Sequence, residues 1–294
     1  MALGGSTWVI LTLASALFLT FQRLVQKKVL HKEHASEYLT TFSIVAWIFL
    51  LPFLPNLDFS LPLATWTLLI AKSILLSVSW LLITRAYKHM EVSTVEPLKN
   101  ISPVFLLLAA MLILNEFPTK AQIFGIFLVV CGGYFIESIM HPKLMNNPFR
   151  LFKGKYAHFL IIAALISGIS GVLDKFIMRE TDAFTTTFFM FFFSSIILFV
   201  HQHVVYKGLR DVKKVIAKDG LLMAVIVMLT LASDWLYFYA VGLQDSYVSL
   251  IVPLRRMSSL FVILIGGEMF HEKKLIEKAL SCIVMLVGMY FMVA

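Results

Sequence analysis

Six charged residues stand out most clearly, each several residues inside a long apolar stretch, where an ionised side chain costs about 2.5–3.5 kcal/mol to insert into a bilayer. They are Glu96 and Lys99 in the stretch 92–114, Asp174 in 157–178, Asp234 in 217–241, and Arg255 and Arg256 in 246–270. At about 1.5 Å of helical rise per residue, Lys99 lies roughly 10 Å and Arg255 roughly 13 Å past the start of its stretch, too deep to reach an interface easily. A charge so placed needs a partner or a use. Lys99, Asn100, Arg255 and Arg256 together suit anion binding, because the planar guanidinium donates paired hydrogen bonds to phosphate or carboxylate. The bland alternative is a set of buried ion pairs, Glu96 with Lys99 and the arginines with Asp174 or Asp234, that only hold helices together. Burial that raised a carboxyl pKa would make Glu96, Asp174 and Asp234 candidates for proton coupling.

Other residues frame this group. Pro97 and Pro253 each precede a cation by two positions and remove a backbone donor, which can kink a helix and free carbonyls toward a cavity; ordinary membrane prolines tolerated by their neighbours are the alternative. Trp80, Trp235, Tyr237 and Tyr239 are candidates to wall a cavity, although aromatics in membrane helices more often pack. Glu116 and Glu272 close their stretches just before the next begins. Capping of the following helix is the expected role and a gating contact the alternative. Gln22 and Arg23 reach the cavity or sit at the interface, depending on one turn of helix. The sequon at Asn100 lies inside an expected helix, His271-Glu272 lacks the second histidine of a zinc protease, and no glycine-rich phosphate loop occurs. The run FFMFFF from Phe188 reads as packing or lipid-facing surface, and no nucleophile sits beside a base.

The elements that position these residues follow from composition. Of 294 residues, 60% are hydrophobic and 14% charged, where soluble domains hold about 45–50% and about 25%. Ten stretches of membrane-spanning length fit the chain: 6–25, 38–55, 65–86, 92–114, 119–140, 157–178, 184–206, 217–241, 246–270 and 275–293. The fold class expected is an all-α integral membrane protein. Met1 to Gln22 holds no Lys or Arg, so the first stretch reads as a retained helix and not a signal peptide. Cys131 and Cys282 lie in apolar stretches as small hydrophobes, so neither a metal site nor a cofactor is expected. The net charge of +8 is spread over loops, which points to membrane insertion and not to nucleic acid.

The two halves resemble each other. Shifted by 156 residues, VSTVEPLKNISPVF from Val92 lies over VSLIVPLRRMSSLF from Val248, pairing Lys99 with Arg255, and the register persists to Glu116 on Glu272 and Gly132 on Gly288. FQRLVQKK from Phe21 matches LDKFIMRE from Leu173 more weakly at a slightly different shift. Five stretches per half is an odd number, so the second half must enter the membrane inverted. The expected division is 1–140, a linker 141–156 and 157–294. Lys and Arg concentrate in loops after odd-numbered stretches, which by the positive-inside rule places those loops in the cytoplasm and both termini outside.

Ten stretches, an inverted repeat and the PLKNISPVF and PLRRMSSLF segments resemble the drug/metabolite transporter superfamily, specifically its EamA-type members. The resemblance covers essentially the whole chain. It implies helices arranged around a central site with alternating access, with stretches 5 and 10 peripheral, and it implies cytoplasmic termini, against the charge count. In the superfamily's plastid sugar-phosphate translocators a lysine in helix 4 and a Lys-Arg pair in helix 9 hold the substrate phosphate. Lys99, Arg255 and Arg256 look like their counterparts, with arginine replacing the first member of the pair. The function expected is secondary transport of a small organic anion across the bilayer, in a bacterial inner membrane. Export of amino acids or amphipathic drugs is the rival, and a lipid-modifying membrane enzyme or a non-transporting scaffold is the alternative of another class. A homodimer is an assembly compatible with this reading.

Overall fold

The computed structural model describes residues 4–30, 33–114, 119–140, 154–177, 180–206, 208–242 and 254–293. Among them every regular element is helical. In a bilayer no water satisfies an open N–H or C=O, so apolar stretches of this length adopt the form that pairs its own backbone. The helices are α1 (Gly4–Leu30), α2 (Ala35–Leu50), α3 (Leu63–His89), α4 (Val92–Lys99), α5 (Ser102–Leu114) and α6 (Lys120–Met140). There follow α7 (Lys155–Ile177), α8 (Ala183–Val205), α9 (Leu209–Gly242), a run α10 (258–269) and α11 (Leu275–Val293). Within α10, α-helical turns at Ser258–Phe261 and Gly267–Met269 flank a π-helical stretch at Val262–Gly266. Six lengths of helix are long and apolar enough to cross a membrane: Thr7–Leu30, Ala35–Asn56, Leu63–His89, Lys155–Leu173, Phe184–Val205 and Leu209–Tyr237.

Three sequence expectations change. The stretch 92–114 is two helices, α4 and α5, with the chain turning at Asn100 and Ile101. Pro103, second residue of α5, has no backbone N–H, and proline is tolerated in the first turn of a helix, where that donor has no partner in any case. Pro97 lies within α4 and does not end it. The helix expected at 217–241 begins at Leu209 and bends where Asp219 leaves helical geometry (φ −126°, ψ 21°). Pro253, Glu116 and the side chain of Asp174 lie outside the described residues.

The helices pair across the two halves. α1 packs on α9, α3 on α7 and α2 on α8, while α6 packs on α11. Serine pairs tie two of these crossings. Ser15 Oγ donates to the Ser233 carbonyl (2.8 Å), Ser233 Oγ donates to the Ser15 carbonyl (2.9 Å), and the hydroxyls lie 3.0 Å apart. Between α3 and α7, Ser79 Oγ donates to the Ala163 carbonyl (3.0 Å) and lies 2.9 Å from Ser167 Oγ. At the α6–α11 crossing Gly132 and Gly288 let the backbones meet: a Cβ on Gly132 would stand 2.8 Å from the Ser281 carbonyl oxygen, and one on Gly288 2.7 Å from that of Gly125.

Candidate functional site

The cations converge where helices break. At the end of α4 the Ile101 amide donates to the Leu98 carbonyl (3.2 Å), a three-residue bond that tightens the turn before α5 restarts at Ser102. The Met257 amide donates in the same way to Leu254 (3.1 Å), and α10 restarts at Ser258. These residues are the mates of the first set under the 156-residue shift. Two similar backbone turns thus present Lys99 and Asn100 from one side, and Arg255 and Arg256 from the other.

Glu96 is the anionic centre of the first set and is 3% exposed. Its carboxylate accepts from Lys99 Nζ (3.0 Å) and lies 3.4 Å from Arg23 Nε. Lys99 also donates to the Tyr87 hydroxyl (2.9 Å), and Lys99 Nζ and the Arg23 guanidinium stand 5.3 and 5.7 Å from the centre of the Tyr87 ring. In the second set Arg255 pairs with Asp234, donates to Ser233 Oγ (3.2 Å) and lies over the Tyr237 ring at 4.3 Å. Cations over ring faces gain from the aromatic quadrupole, more so where water is excluded.

The two sets touch each other. Arg256 donates across to Ser102 Oγ (3.4 Å), and Ser259 Oγ donates to Asn100 Oδ1 (3.3 Å). Asn100 is fully buried. Arg23 and Lys99 share the Glu96 carboxylate and Arg255 pairs with Asp234, while Arg256 reaches Ser102. Buried donors remain without a hydrogen bond at Arg255 Nε and Asn100 Nδ2, while Arg23 Nε faces the Glu96 carboxylate. Buried polar groups normally find partners, so a cluster of open donors beside surplus positive charge fits an acceptor-rich, anionic ligand.

The structure brings together Lys99, Asn100, Arg255 and Arg256, with Glu96 and Asp234 as their counter-ions. Of the residues proposed to wall the cavity, Trp235 stacks edge-on against Phe53 and packs near Phe184, while Tyr239 is 66% exposed. Trp80 meets Phe191. The rings that meet the cations are those of Tyr87 and Tyr237. Sequence reasoning missed Tyr87, which sits twelve residues before Lys99 in a different helix; only a contact between helices reveals it.

Glu272 does not cap the helix that follows it. Its carboxylate accepts from the backbone amides of Val92 (2.9 Å) and Ser93 (3.1 Å) at the start of α4, and from Ser93 Oγ. Positive φ at His271 and Lys274 folds the short turn that carries it. A helix start offers unpaired amides and the positive end of the dipole, and α4 meets this turn closely enough to supply them. Nearby, in the loop after α1, Glu33 is buried and accepts from Lys218 (2.5 Å) and Lys214 (3.4 Å). Burial pushes its carboxyl up, but the Lys218 hydrogen bond and the charges of both lysines outweigh this and hold it below the usual carboxylate range.

The chain has known relatives. The EamA-like transporter family matches residues 6–138 and again residues 154–294. The chain belongs to the EamA-like transporter family. It is thereby a multi-pass integral membrane protein of the drug/metabolite transporter superfamily. The riboflavin transporter ImpX of Fusobacterium nucleatum is 29% identical over 115 residues, and that match spans 39% of this chain and only 37% of ImpX. A solved crystal structure, described no further than as a protein, superposes with a TM-score of 0.63 over 97% of this EamA-like chain and 96% of its own, at 11% identity. At that identity the likeness concerns the fold alone.

Proposed function

We propose that this EamA-like protein is a secondary transporter of a small organic anion, phosphorylated or carboxylated, working by alternating access. The observation that carries the reading is the concentration of cations at the facing helix breaks: Arg23 and Lys99 share Glu96, Arg255 pairs with Asp234, Arg256 reaches Ser102, and Arg255 Nε and Asn100 Nδ2 are buried donors left open. An anion entering there gains charge-assisted bonds from groups already held in place. Ten membrane crossings in two inverted five-helix repeats complete the proposal. It is supported by the equivalent turns at Ile101 and Met257 and by the serine pairs. Ser15 and Ser167 are 152 residues apart and Ser79 and Ser233 154, close to the shift that relates the halves. Rocking of the halves about this crossing would expose the site to each face in turn. Glu96, Asp234 and Asp174 are the proposed proton carriers should flux be proton-coupled, and a bacterial inner membrane is the proposed location.

The aromatic faces of Tyr87 and Tyr237 beside the cations, together with the name of the Fusobacterium relative, favour a second reading in which a flat aromatic solute is carried. Counterflow in proteoliposomes separates the two. The panel holds phosphorylated, carboxylated and zwitterionic metabolites and riboflavin, with wild type compared against Lys99→Ala and Arg255→Ala. Anion uptake that both folded variants abolish supports the first reading. Riboflavin or zwitterion uptake that survives both makes the cations structural, and no flux for any solute returns the lipid-modifying enzyme and the scaffold to consideration.

A further inference from the structure

The transport reading leaves unexplained a second buried ionic cluster, at the opposite end of α4 from Lys99. It centres on Glu272 and Lys278. Glu272 lies in the turn between α10 and α11, in the second half, yet it accepts from the Val92 and Ser93 amides and the Ser93 hydroxyl at the start of α4 in the first half. Lys278, fully buried in the first turns of α11, pairs with Glu91, donates to Ser93 Oγ (2.7 Å) and stands 3.9 Å from Glu272. Lys27 of α1 donates to the Met90 carbonyl (2.5 Å) and to the Tyr87 carbonyl, tying the same corner from a third direction.

All of these groups lie at the ends of helices that meet the lysine-rich loops, and the described side-chain hydrogen bonds of Glu272 and Lys278 all cross from the second half to the first. Helices held only by packing need no such cluster. A buried lysine costs several kcal/mol to desolvate and is repaid only by well-made partners, so the cluster either forms completely or comes apart. A contact of that kind suits a face that must be closed in one state and open in another. Under the 156-residue shift the mate of Lys278 is Gln122, whose uncharged side chain accepts from the Thr119 amide (2.8 Å) within its own turn.

We infer that the Glu272–Ser93–Lys278–Glu91 cluster is the gate that seals the lysine-rich face. It is closed in this structure and must break for the central site to open to that side. The inference rests on the alternating-access reading, but its test needs no substrate. A reporter cysteine replaces Ser258, which is 3% exposed at the restart of α10, in a Cys131→Ala, Cys282→Ala background. Its alkylation by a membrane-impermeant maleimide is timed from each face of sealed vesicles, with a Lys273→Cys control marking the lysine-rich face. Glu272→Gln and Lys278→Met should each speed alkylation from that face about tenfold or more, the loss expected when a charge-assisted contact goes. Ser93→Ala, the mildest change, should act in the same direction and guards against a variant that fails to fold. Unchanged alkylation in variants that elute as folded protein would overturn the gate and leave a static helix cap. Faster alkylation in a protein that moves no solute would keep the gate and sink the transport reading, and flux with unchanged alkylation would do the reverse.

Discussion

The two helix breaks share a backbone design and differ in how they hold their charge. At the first, Lys99 leans on Glu96 three residues earlier in its own helix, and Arg23 reaches the same carboxylate from α1. At the second, Arg255 leans on Asp234 from a neighbouring helix, and its own helix supplies no described carboxylate. Glu96 is nearly sealed, whereas Asp234 is partly open, with side-chain exposures of 4% and 24%. The turns at Ile101 and Met257 are alike, each closed by a three-residue backbone bond, while their counter-ions differ. A sealed carboxylate serving two cations is a structural keystone, while a partly open one serving a single cation is closer to an exchangeable partner.

Removing each carboxylate tests that difference most directly. Glu96→Leu strands Arg23 and Lys99 together in a dry environment and should destabilise the protein by about 3–5 kcal/mol, the range for breaking a buried pair from one side. Asp234→Leu strands one cation that retains Ser233 and the Tyr237 ring, and should cost about 1.5–3 kcal/mol. Thermal unfolding in detergent, followed by loss of monodisperse protein, ranks the two. Equal midpoints would mean that the second site is as closed as the first. A bound anion should raise the midpoint of both variants by less than it raises that of wild type if it binds where the four cations meet.

Glu33 sharpens the comparison from outside the membrane. It also serves two cations, Lys214 and Lys218, but these are about half exposed. Because its folded carboxyl is held below the ordinary 4.5, its stabilising contribution is fully present above that pH and is lost as pH falls through the lowered folded value. Unfolding midpoints should therefore fall in wild type as pH drops below about 4.5, and Glu33→Gln should flatten that part of the profile. The effect should be smaller than that of Glu96→Leu, since water screens the lysines. A midpoint indifferent to Glu33 would assign the acid sensitivity to another carboxylate.

Much of this was legible in the residues. Lys99, Arg255 and Arg256 stood out because ionised groups are rare in apolar stretches, and the 156-residue shift marked Lys99 and Arg255 as equivalent before any contact was known. The pair Glu96–Lys99 followed from helical spacing, and Asp234 was one of two partners proposed for the arginines. What spacing cannot supply is which faces meet. Tyr87 and Arg23 join the cluster through packing between helices, so no local pattern announces them. Glu272 illustrates the opposite failure: its place at a helix end suggested a cap for the next helix, but the amides it found belong to α4, 179 residues away at Ser93. The break at Asn100 was hidden for another reason, since Pro97 drew attention as the expected hinge, whereas it lies within α4 and the chain turns at Asn100 and Ile101.

The smallest expected effect bears on whether the halves are equivalent beyond these breaks. Ser15–Ser233 and Ser79–Ser167 make matching hydroxyl contacts, 3.0 and 2.9 Å, at the two crossings that an inverted repeat would exchange. Double-mutant cycles to alanine at each pair should give similar coupling energies, about 0.6 kcal/mol as is typical of side-chain hydrogen bonds between membrane helices. The Ser15 pair also donates hydroxyl to carbonyl in both directions, whereas Ser79 bonds to Ala163, so any excess should fall on the Ser15 side. Ser233 further accepts from Arg255, and Ser233→Ala should then weaken solute binding as well as packing while Ser79→Ala should affect packing alone. If Ser79→Ala lowered affinity as much as Ser233→Ala, the binding site would be as symmetric as the backbone, and the divergence seen in the counter-ions would have no functional counterpart.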